Sequence, residues 1–550
     1  MQCFQGKSVY KGIVMGPVAV LGKNDCQVTH QKIEDTEGEI LRLQQAIDCS
    51  KEQLRELYHK AAGQVGKVSA AIFEVHQMML EDAGFLSTAA QMIRTEQVNA
   101  EYAVFTAGNK YAQLFAAMDD ELMKAREADI RDVARRIVWN LSGQKEMKMS
   151  LTVPSIIVAD DLSPSETMQL DKKKILAFVT VRGSVNSHTA ILARMMNIPA
   201  LVGVPLWLEE IENGITAVVN GFTGQVIFEP DSAVCESAVR SIQKEADNLA
   251  LLQELKGKEN ITLDGRRIEI SANIGSVDDI PSALENDASG IGLFRSEFLY
   301  LGRSDFPTEE EQYRAYRQAA EGMQGQKVII RTLDIGVDKQ VDYFRLGKEE
   351  NPALGYRGIR ICLKQPEVFK VQLRALFRAA AYGNLSVMYP MITSVEEVEQ
   401  IKEMTEEVKA RLKEEGIPYR MPEQGVMIET PAAVMISDEL AEMVDFFSIG
   451  TNDLAQYTLA VDRQNEKLDD FYNPYHKALL RMIQIVVDNA HKCGRHVGIC
   501  GELGADPAMT EQFVRMGVDE LSVAPSMVLP LRKIVREMTC ENKNYRLIKQ

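Results

Sequence analysis

Five short apolar runs in the second half of the chain each lead into charged or polar residues: Arg295-Ser296-Glu297-Phe298, Arg331-Thr332-Leu333-Asp334, Glu429-Thr430, Thr451-Asn452-Asp453 and Cys500-Gly501-Glu502. Glu429 and Asp453 supply hard carboxylate oxygens. Such a pair suits one divalent cation that keeps several waters and takes its other ligands from substrate, as magnesium prefers. Arg295 and Arg331, with Arg463 shortly after Asp453, offer planar forks that grip a phosphoryl group. Any one of these charges is equally well explained as a rim salt bridge, but the same placement after five separate runs argues for a site.

A second concentration of chemistry is Gly183-Ser184-Val185-Asn186-Ser187-His188-Thr189-Ala190-Ile191-Leu192-Ala193-Arg194, a glycine-led loop running into a helical pattern. Free backbone N–H groups at a helix start favour a phosphate placed on the His188 ring. Imidazole titrates near about pH 6.5, so a neutral nitrogen is available as a nucleophile. His30, His59, His476, His491 and His496 lack such a setting and read as hydrogen-bonded structural side chains.

These residues need elements to position them. Strand-like runs recur at Ile268 to Ile274, Gly290 to Phe294, Val328 to Leu333, Leu385 to Pro390, Gly425 to Ile428, Phe446 to Ile449, Val497 to Cys500 and Glu520 to Val523, most of them separated by amphipathic stretches of helix length. Eight such alternations suit a (β/α)8 barrel, usually about 250 residues, with its chemistry at the carboxyl ends of the strands. A doubly wound open sheet is the other arrangement the pattern allows. From Val153 to about 229, runs such as Ile156-Ile157-Val158, Ile175 to Thr180, Ala217-Val218-Val219 and Val226-Ile227-Phe228 predict a small α/β unit. Residues 231–258 are polar and helix-prone, which predicts a linker helix and a domain boundary near Asn260. Between about 25 and 145, Ile33, Ile40, Ile47 and Leu54 recur every seven residues with Leu43 and Leu57 beside them. That is coiled-coil-like packing, and further helical stretches near Val65 to Leu80, Val98 to Met118 and Ile130 to Leu141 predict an all-α bundle.

Composition narrows the class. With 550 residues, 45% of them apolar, and a net charge of −17, the chain is neither disordered nor a basic nucleic-acid-binding domain. No apolar run approaches the roughly 20 residues that span a bilayer, so no membrane insertion is expected. The start of the chain lacks the features of a secretory signal, which makes the cytoplasm the expected location. Eight scattered cysteines without a Cys-x-x-Cys pair suit a reducing compartment. The acidic balance disfavours nucleic acid and suits a basic protein partner.

Taken together, these residues resemble enzyme I of the bacterial phosphoenolpyruvate-dependent sugar phosphotransferase system, a member of the PEP-utilising enzymes. The phosphohistidine signature is matched by Gly183 through Arg194, and the barrel signature by Gly425-Val426-Met427-Ile428-Glu429-Thr430-Pro431-Ala432-Ala433 through Ile449-Gly450-Thr451-Asn452-Asp453-Leu454. Shorter matches are Asp161 through Thr167, Asn351-Pro352 with Gly355 through Arg360, and Gly498 through Glu502.

The resemblance implies a multidomain α and α/β fold. A phosphohistidine α/β domain (1–24 plus 147–229) carries an inserted helical domain (25–146) that binds the phosphocarrier protein HPr. A linker helix (230–260) then leads to a phosphoenolpyruvate-binding (β/α)8 TIM barrel (261–550) that also dimerises. It implies that the phosphate of phosphoenolpyruvate is held by Arg295, Arg331 and Arg463, with Lys339 and Arg357 nearby, and that Asn452 reaches the carboxylate. Mg2+ would sit on Glu429 and Asp453, and Cys500 would protonate the enolate of pyruvate. His188 takes the phosphoryl group on Nε2 and passes it to a histidine of HPr, the first step of sugar uptake, with Thr167 fixing the ring's tautomer. Met78, Met79 and Arg126 are implied as partner contacts, and core packing is an equal reading for Met78, Met79 and Leu80.

The chain departs from the family at Ser184 and Asn186, where a second glycine and a threonine are usual, at Ser296 for threonine, and at Val337 for glycine. None of these removes a catalytic group. Two other readings stand beside this one: a pyruvate-phosphate dikinase or phosphoenolpyruvate synthase, which would need a nucleotide-grasp domain before His188, and a regulatory paralogue with a different carrier.

Overall fold

The computed structural model describes residues 1–21, 28–65, 67–81, 83–118, 121–143, 151–162, 166–167, 170–183, 188–196, 198–336, 341–347, 349–463 and 465–540. They fall into two compact units, Met1–Asp247 and Asn248–Gln550.

The first unit contains an eight-stranded sheet and a helical bundle. Three strands, β1 (Gln2–Gln5), β2 (Lys7–Tyr10) and β3 (Ile13–Leu21), precede the helices. Five follow them: β4 (Ser155–Ala159), β5 (Ile175–Thr180), β6 (Ala200–Val202), β7 (Thr216–Asn220) and β8 (Gln225–Phe228). The sheet order is β1-β8-β7-β3-β4-β5-β6-β2, so the N-terminal strands pair with strands from beyond the bundle. Strands β3 to β6 run parallel and the rest pair antiparallel. Ile156 and Val158 point into one apolar layer, Ile157 and Ala159 into another, the period of two that a sheet covered on both faces produces.

The bundle comprises α1 (Thr36–Val65), α2 (Lys67–Met79), α3 (Ala83–Glu96), α4 (Ala100–Ala116) and α5 (Glu121–Leu141). Its core takes Leu43, Ile47, Leu54 and Leu57 from the heptad stripe. Two sequence expectations change. Ile33 lies ahead of α1, in the stretch where Lys32 bridges to Val98, so the seven-residue repeat starts before the helix does. The helix α3 is additional. Its buried stripe, Phe85, Ala89 and Ile93, recurs at i, i+4 and i+8, but the alanine and the surrounding glycine, serine and threonine mute the apolar signal.

The helix that begins at His188, α6 (His188–Met196), packs between the two parts of this unit. Leu192 joins the bundle core, while Ala193 and Met196 join the layer beneath the sheet. Beyond it, α7 (Ser232–Gln253) is the helix expected as a linker, and the division between the two units falls inside it.

The second unit is a closed barrel of eight parallel strands, β9 (Glu269–Ile274), β10 (Gly290–Arg295), β11 (Lys327–Arg331), β12 (Leu385–Tyr389), β13 (Glu423–Ile428), β14 (Phe446–Ile449), β15 (His496–Cys500) and β16 (Glu520–Val523), each paired with the next. Pairing of β16 with β9 closes it and excludes the open sheet. Leu293, Ile329, Met388, Met427, Phe446 and Cys500 form one interior cluster, apart from the large core beneath the helices. Helix starts are defined locally: Ser394 and Thr308 form capping boxes with Glu397 and Glu311, and Thr430 caps a helix whose first residue is Pro431. No helix among the described residues is long and apolar enough to cross a membrane.

Candidate active site

At the carboxyl end of the barrel, charge is organised around Arg331, the last residue of β11. Its guanidinium is gripped by Glu297 on one side and by Asp334, 2.9 Å away, on the other. Both oxygens of Asp334 also accept from Arg357 Nη2, at 3.1 Å each, and Arg357 reaches Asp453 at 3.5 Å. One buried carboxylate thus sets the spacing of two arginines. Burial alone would lower the pKa of both guanidiniums, but the surrounding carboxylates outweigh it, Glu297 and Asp334 at Arg331 and Asp334 and Asp453 at Arg357, and hold them firmly charged. Arg295 ends β10 and forms no ion pair among the described residues; burial and the neighbouring Arg331 charge lower its pKa. A cation so placed is poised to accept an anion.

Glu429 follows β13 and is 1% exposed. Its Oε1 accepts the Met391 backbone N–H at 2.6 Å, and the Thr430 hydroxyl donates to the Ile392 carbonyl at 2.7 Å, so the backbone around it is pinned. Gly450 makes room: a Cβ there would stand 2.9 Å from Glu429 Oε2. Burial, then the charges of Asp453 and Asp334, push the Glu429 carboxyl up to about 8 against the pull of Arg331 and Arg357. A buried carboxylate strained in this way by a second one is what a divalent cation relieves. The oxygens of Glu429 and Asp453 are the hard donors magnesium takes, and these two residues would hold it.

Cys500 ends β15 with its thiol directed to the Ile449 carbonyl at 3.7 Å. Burial first, with the Glu429 charge adding, pushes the thiol up to about 11, so it carries its proton at neutral pH. Asn452 is tied to Glu502, accepting the Glu502 N–H at 3.2 Å.

The structure therefore gathers Arg295, Arg331, Arg357, Glu429, Asn452, Asp453 and Cys500 at strand ends of one barrel. Arg463 is different: it lies exposed in the turn after the helix Thr451–Leu459 and makes no ion pair among the described residues. Lys339 and the loop residues Ser184 and Asn186 lie outside the described residues, as does Val337, and the side chain of His188 is likewise not described. Thr167 is fully buried in the first unit. Sequence reasoning read Glu297 and Asp334 as part of the strand-end charge without a role; in the fold they are the partners that aim the arginines. Tyr457, whose hydroxyl lies 3.4 Å from Arg357 Nη1, was not anticipated, because no local pattern marks it.

On the bundle, Met78 is 68% exposed, Met79 packs partly against the core, and Leu80 is 1% exposed. Leu80 is thus a core residue. Arg126 pairs with Asp129 at 3.2 Å.

The fold and this rim define a closed (β/α)8 barrel with buried arginines and a carboxylate pair gathered at the carboxyl ends of its strands. Residues 250–540 match the PEP-utilising enzyme, PEP-binding domain; 5–126 match the N-terminal domain of that family and 151–224 its mobile domain. The chain is 40% identical over 537 residues to a phosphoenolpyruvate-protein phosphotransferase of Priestia megaterium, covering 97% of this chain and 94% of that one. It is 42% identical over 538 residues to the Geobacillus stearothermophilus protein of the same name, covering 98% and 93%. A solution structure of an Enzyme I protein shares 32% identity at a TM-score of 0.39, over 44% of this chain and 99% of that one. The chain belongs to the PEP-utilising enzyme family.

Proposed function

We propose that this protein is a phosphoenolpyruvate-protein phosphotransferase that moves the phosphoryl group of phosphoenolpyruvate first to its own His188 and then to a histidine of HPr. The observation that carries the reading is the convergence of Arg295, Arg331 and Arg357 with the Glu429–Asp453 pair and Cys500 at one barrel rim.

Three arginines at this rim face four carboxylates, Glu297, Asp334, Glu429 and Asp453, so a trianionic substrate is not accommodated by the side chains alone. Glu429 and Asp453 would hold a magnesium ion, which when bound would supply the missing positive charge and electrostatic stabilisation of the enolate. The arginines hold the phosphate, with Arg463 and Lys339 as further contacts, and Asn452 takes the substrate carboxylate. His188 Nε2 attacks phosphorus; the bond from phosphorus to the enol oxygen breaks and its electron pair stays on that oxygen. The Cys500 thiol gives its proton to the methylene carbon of the enolate, forming pyruvate, and the thiolate regains a proton from solvent. Thr167 orients the imidazole. In the second half-reaction the N–P bond of His188 breaks as an HPr histidine attacks, with Met78, Met79 and Arg126 forming the dock. The protein acts in the cytoplasm as a homodimer joined through its barrels.

Intact mass after incubation with phosphoenolpyruvate and magnesium tests the reading. One acid-labile phosphoryl group, absent in His188→Ala and passed on to HPr, is the expected result. No labelling, or labelling that requires ATP, overturns it.

A further inference from the structure

The end of the barrel opposite the arginine rim carries a second group of ligand-type side chains. Glu269 opens β9, His496 opens β15 and Glu520 opens β16. These are the first strand and the last two, the ones that meet where the barrel closes. Glu520 stands opposite Glu269 in one ladder and opposite Gly498 in the other. Side chains alternate faces with a period of two, so His496 projects on the same face as Gly498. As a result one imidazole nitrogen and one oxygen of each carboxylate lie within 4.8 Å of one another, and His496 Nε2 is 3.8 Å from Glu269 Oε2.

Glu520 points independently to a ligand. It is 4% exposed, and its carboxylate has the Ser271 hydroxyl as a hydrogen-bond neighbour but no ion pair among the described residues. Lys327, at the same end of the barrel, is held by Glu423 at 2.7 Å and lies over the Phe446 ring. A buried carboxylate beside a second carboxylate, with the Ser271 hydroxyl bonded to it and only the nearby His496 and Lys327 charges to offset burial, is expensive. The backbone nevertheless makes room for it. A Cβ on Gly292 would stand 2.5 Å from Glu520 Oε1, and one on Gly498 3.3 Å from Oε2.

We propose that Glu269, His496 and Glu520 bind a divalent transition-metal ion of the zinc type, which clips the first strand of the barrel to the last two. One imidazole with two carboxylates is a donor set that zinc accepts and that magnesium, which keeps to oxygen, does not favour. Bonds of about 2.0–2.2 Å in tetrahedral geometry set ligand atoms about 3.4 Å apart, so a side-chain adjustment of about 1 Å closes the set around the ion, with water in the fourth position. The amino ends of barrel strands serve stability rather than chemistry. The ion's role is therefore to hold the seam, independent of phosphoryl transfer, and it gives His496 a function that its sequence surroundings did not indicate.

The full-length protein, stripped of metal by chelation and then kept in excess magnesium to saturate Glu429 and Asp453, is titrated with Zn2+ by calorimetry and with Co2+ by visible absorption. One equivalent of each is expected to bind, with a rise in Tm and the visible bands of four- or five-coordinate cobalt. Glu269→Gln, a change at an exposed strand start, is expected to weaken zinc binding at least about tenfold and to leave phosphoenolpyruvate-dependent phosphorylation unchanged. His496→Ala is expected to abolish the cobalt bands; should it fail to fold, Glu269→Gln decides the question. Absence of binding, thiolate-to-cobalt bands in the ultraviolet, or affinity unaltered in Glu269→Gln would each overturn the proposal.

Discussion

At the barrel rim Arg331, Arg357, Glu429 and Asp453 are buried and locked to one another by charge. On the bundle the order is inverted: Met78 stands exposed, while the polar residues His76, Asp129 and Asp132 are buried. His76 lies between Asp129, 3.2 Å from Nε2, and Asp132, 3.5 Å from Nδ1, and Arg126 pairs with that same Asp129. A rim of fixed, opposed charges acts on a small anion without reorganising. A polar clasp under a flexible thioether is suited to a larger surface, because the clasp joins α2 to α5 and leaves the adaptable atoms outside. The two regions should therefore fail differently when altered.

The largest effect is expected at Arg331. Arg331→Met removes the buried guanidinium that Glu297 and Asp334 share, which should cost about 3–5 kcal/mol in stability, and should lower the rate of phosphorylation by phosphoenolpyruvate roughly 10³-fold. Thermal unfolding and stopped-flow phosphorylation read the two losses, and a rate within tenfold of the parent would break the contrast. Next, Cys500→Ser should lower kcat by about 10²-fold with little change in KM, since it removes a proton donor and not a binding charge; steady-state pyruvate release is the measurement.

The third effect is one of pH. The Glu429 carboxyl rises from its ordinary 4.5 to about 8 in the fold. A raised carboxyl contributes stability that is fully present below its unfolded value and is lost as pH climbs through the folded one. The magnesium-free protein should therefore lose stability between about pH 4.5 and 8, and magnesium binding at pH 7 should release about one proton. Calorimetry in buffers of different ionisation enthalpy counts that proton, and Glu429→Gln should abolish it. The smallest effect belongs to the bundle: Met78→Ala should raise KM for HPr about five- to tenfold while self-phosphorylation stays unchanged. A loss in self-phosphorylation instead would mean that the bundle face and the rim are not separable.

The two regions also differ in how far they could be read in advance. All eight barrel strands stand where the apolar runs predict them, and Glu297, Arg331, Asp334, Glu429 and Asp453, placed after those runs, stand at one end of the barrel, joined there by Arg357, which follows none of them. Strand runs are local, and a parallel barrel puts the residue after every run at the same end. Met78, Met79 and Leu80 are consecutive apolar residues on the bundle, so composition cannot rank them. At about 100° of rotation per residue they face in three directions, and packing against the neighbouring helices alone makes Met78 exposed and Leu80 buried. The helix α3 was missed for a related reason, because its stripe includes an alanine.

By itself the sequence determined the number and order of the barrel strands, the charges that follow them, the helical character of the segment between residues 25 and 145, and the family. Each of these is written in short stretches whose pattern or motif is independent of distant partners. The tertiary structure alone decided that Asp334 stands between Arg331 and Arg357 and that Glu429 is strained by Asp453. It also decided that Glu269 meets His496 and Glu520 at the seam. Those contacts join residues up to 251 positions apart in the chain, Glu269 to Glu520, and they exist because closing the barrel brings its first strand to its last.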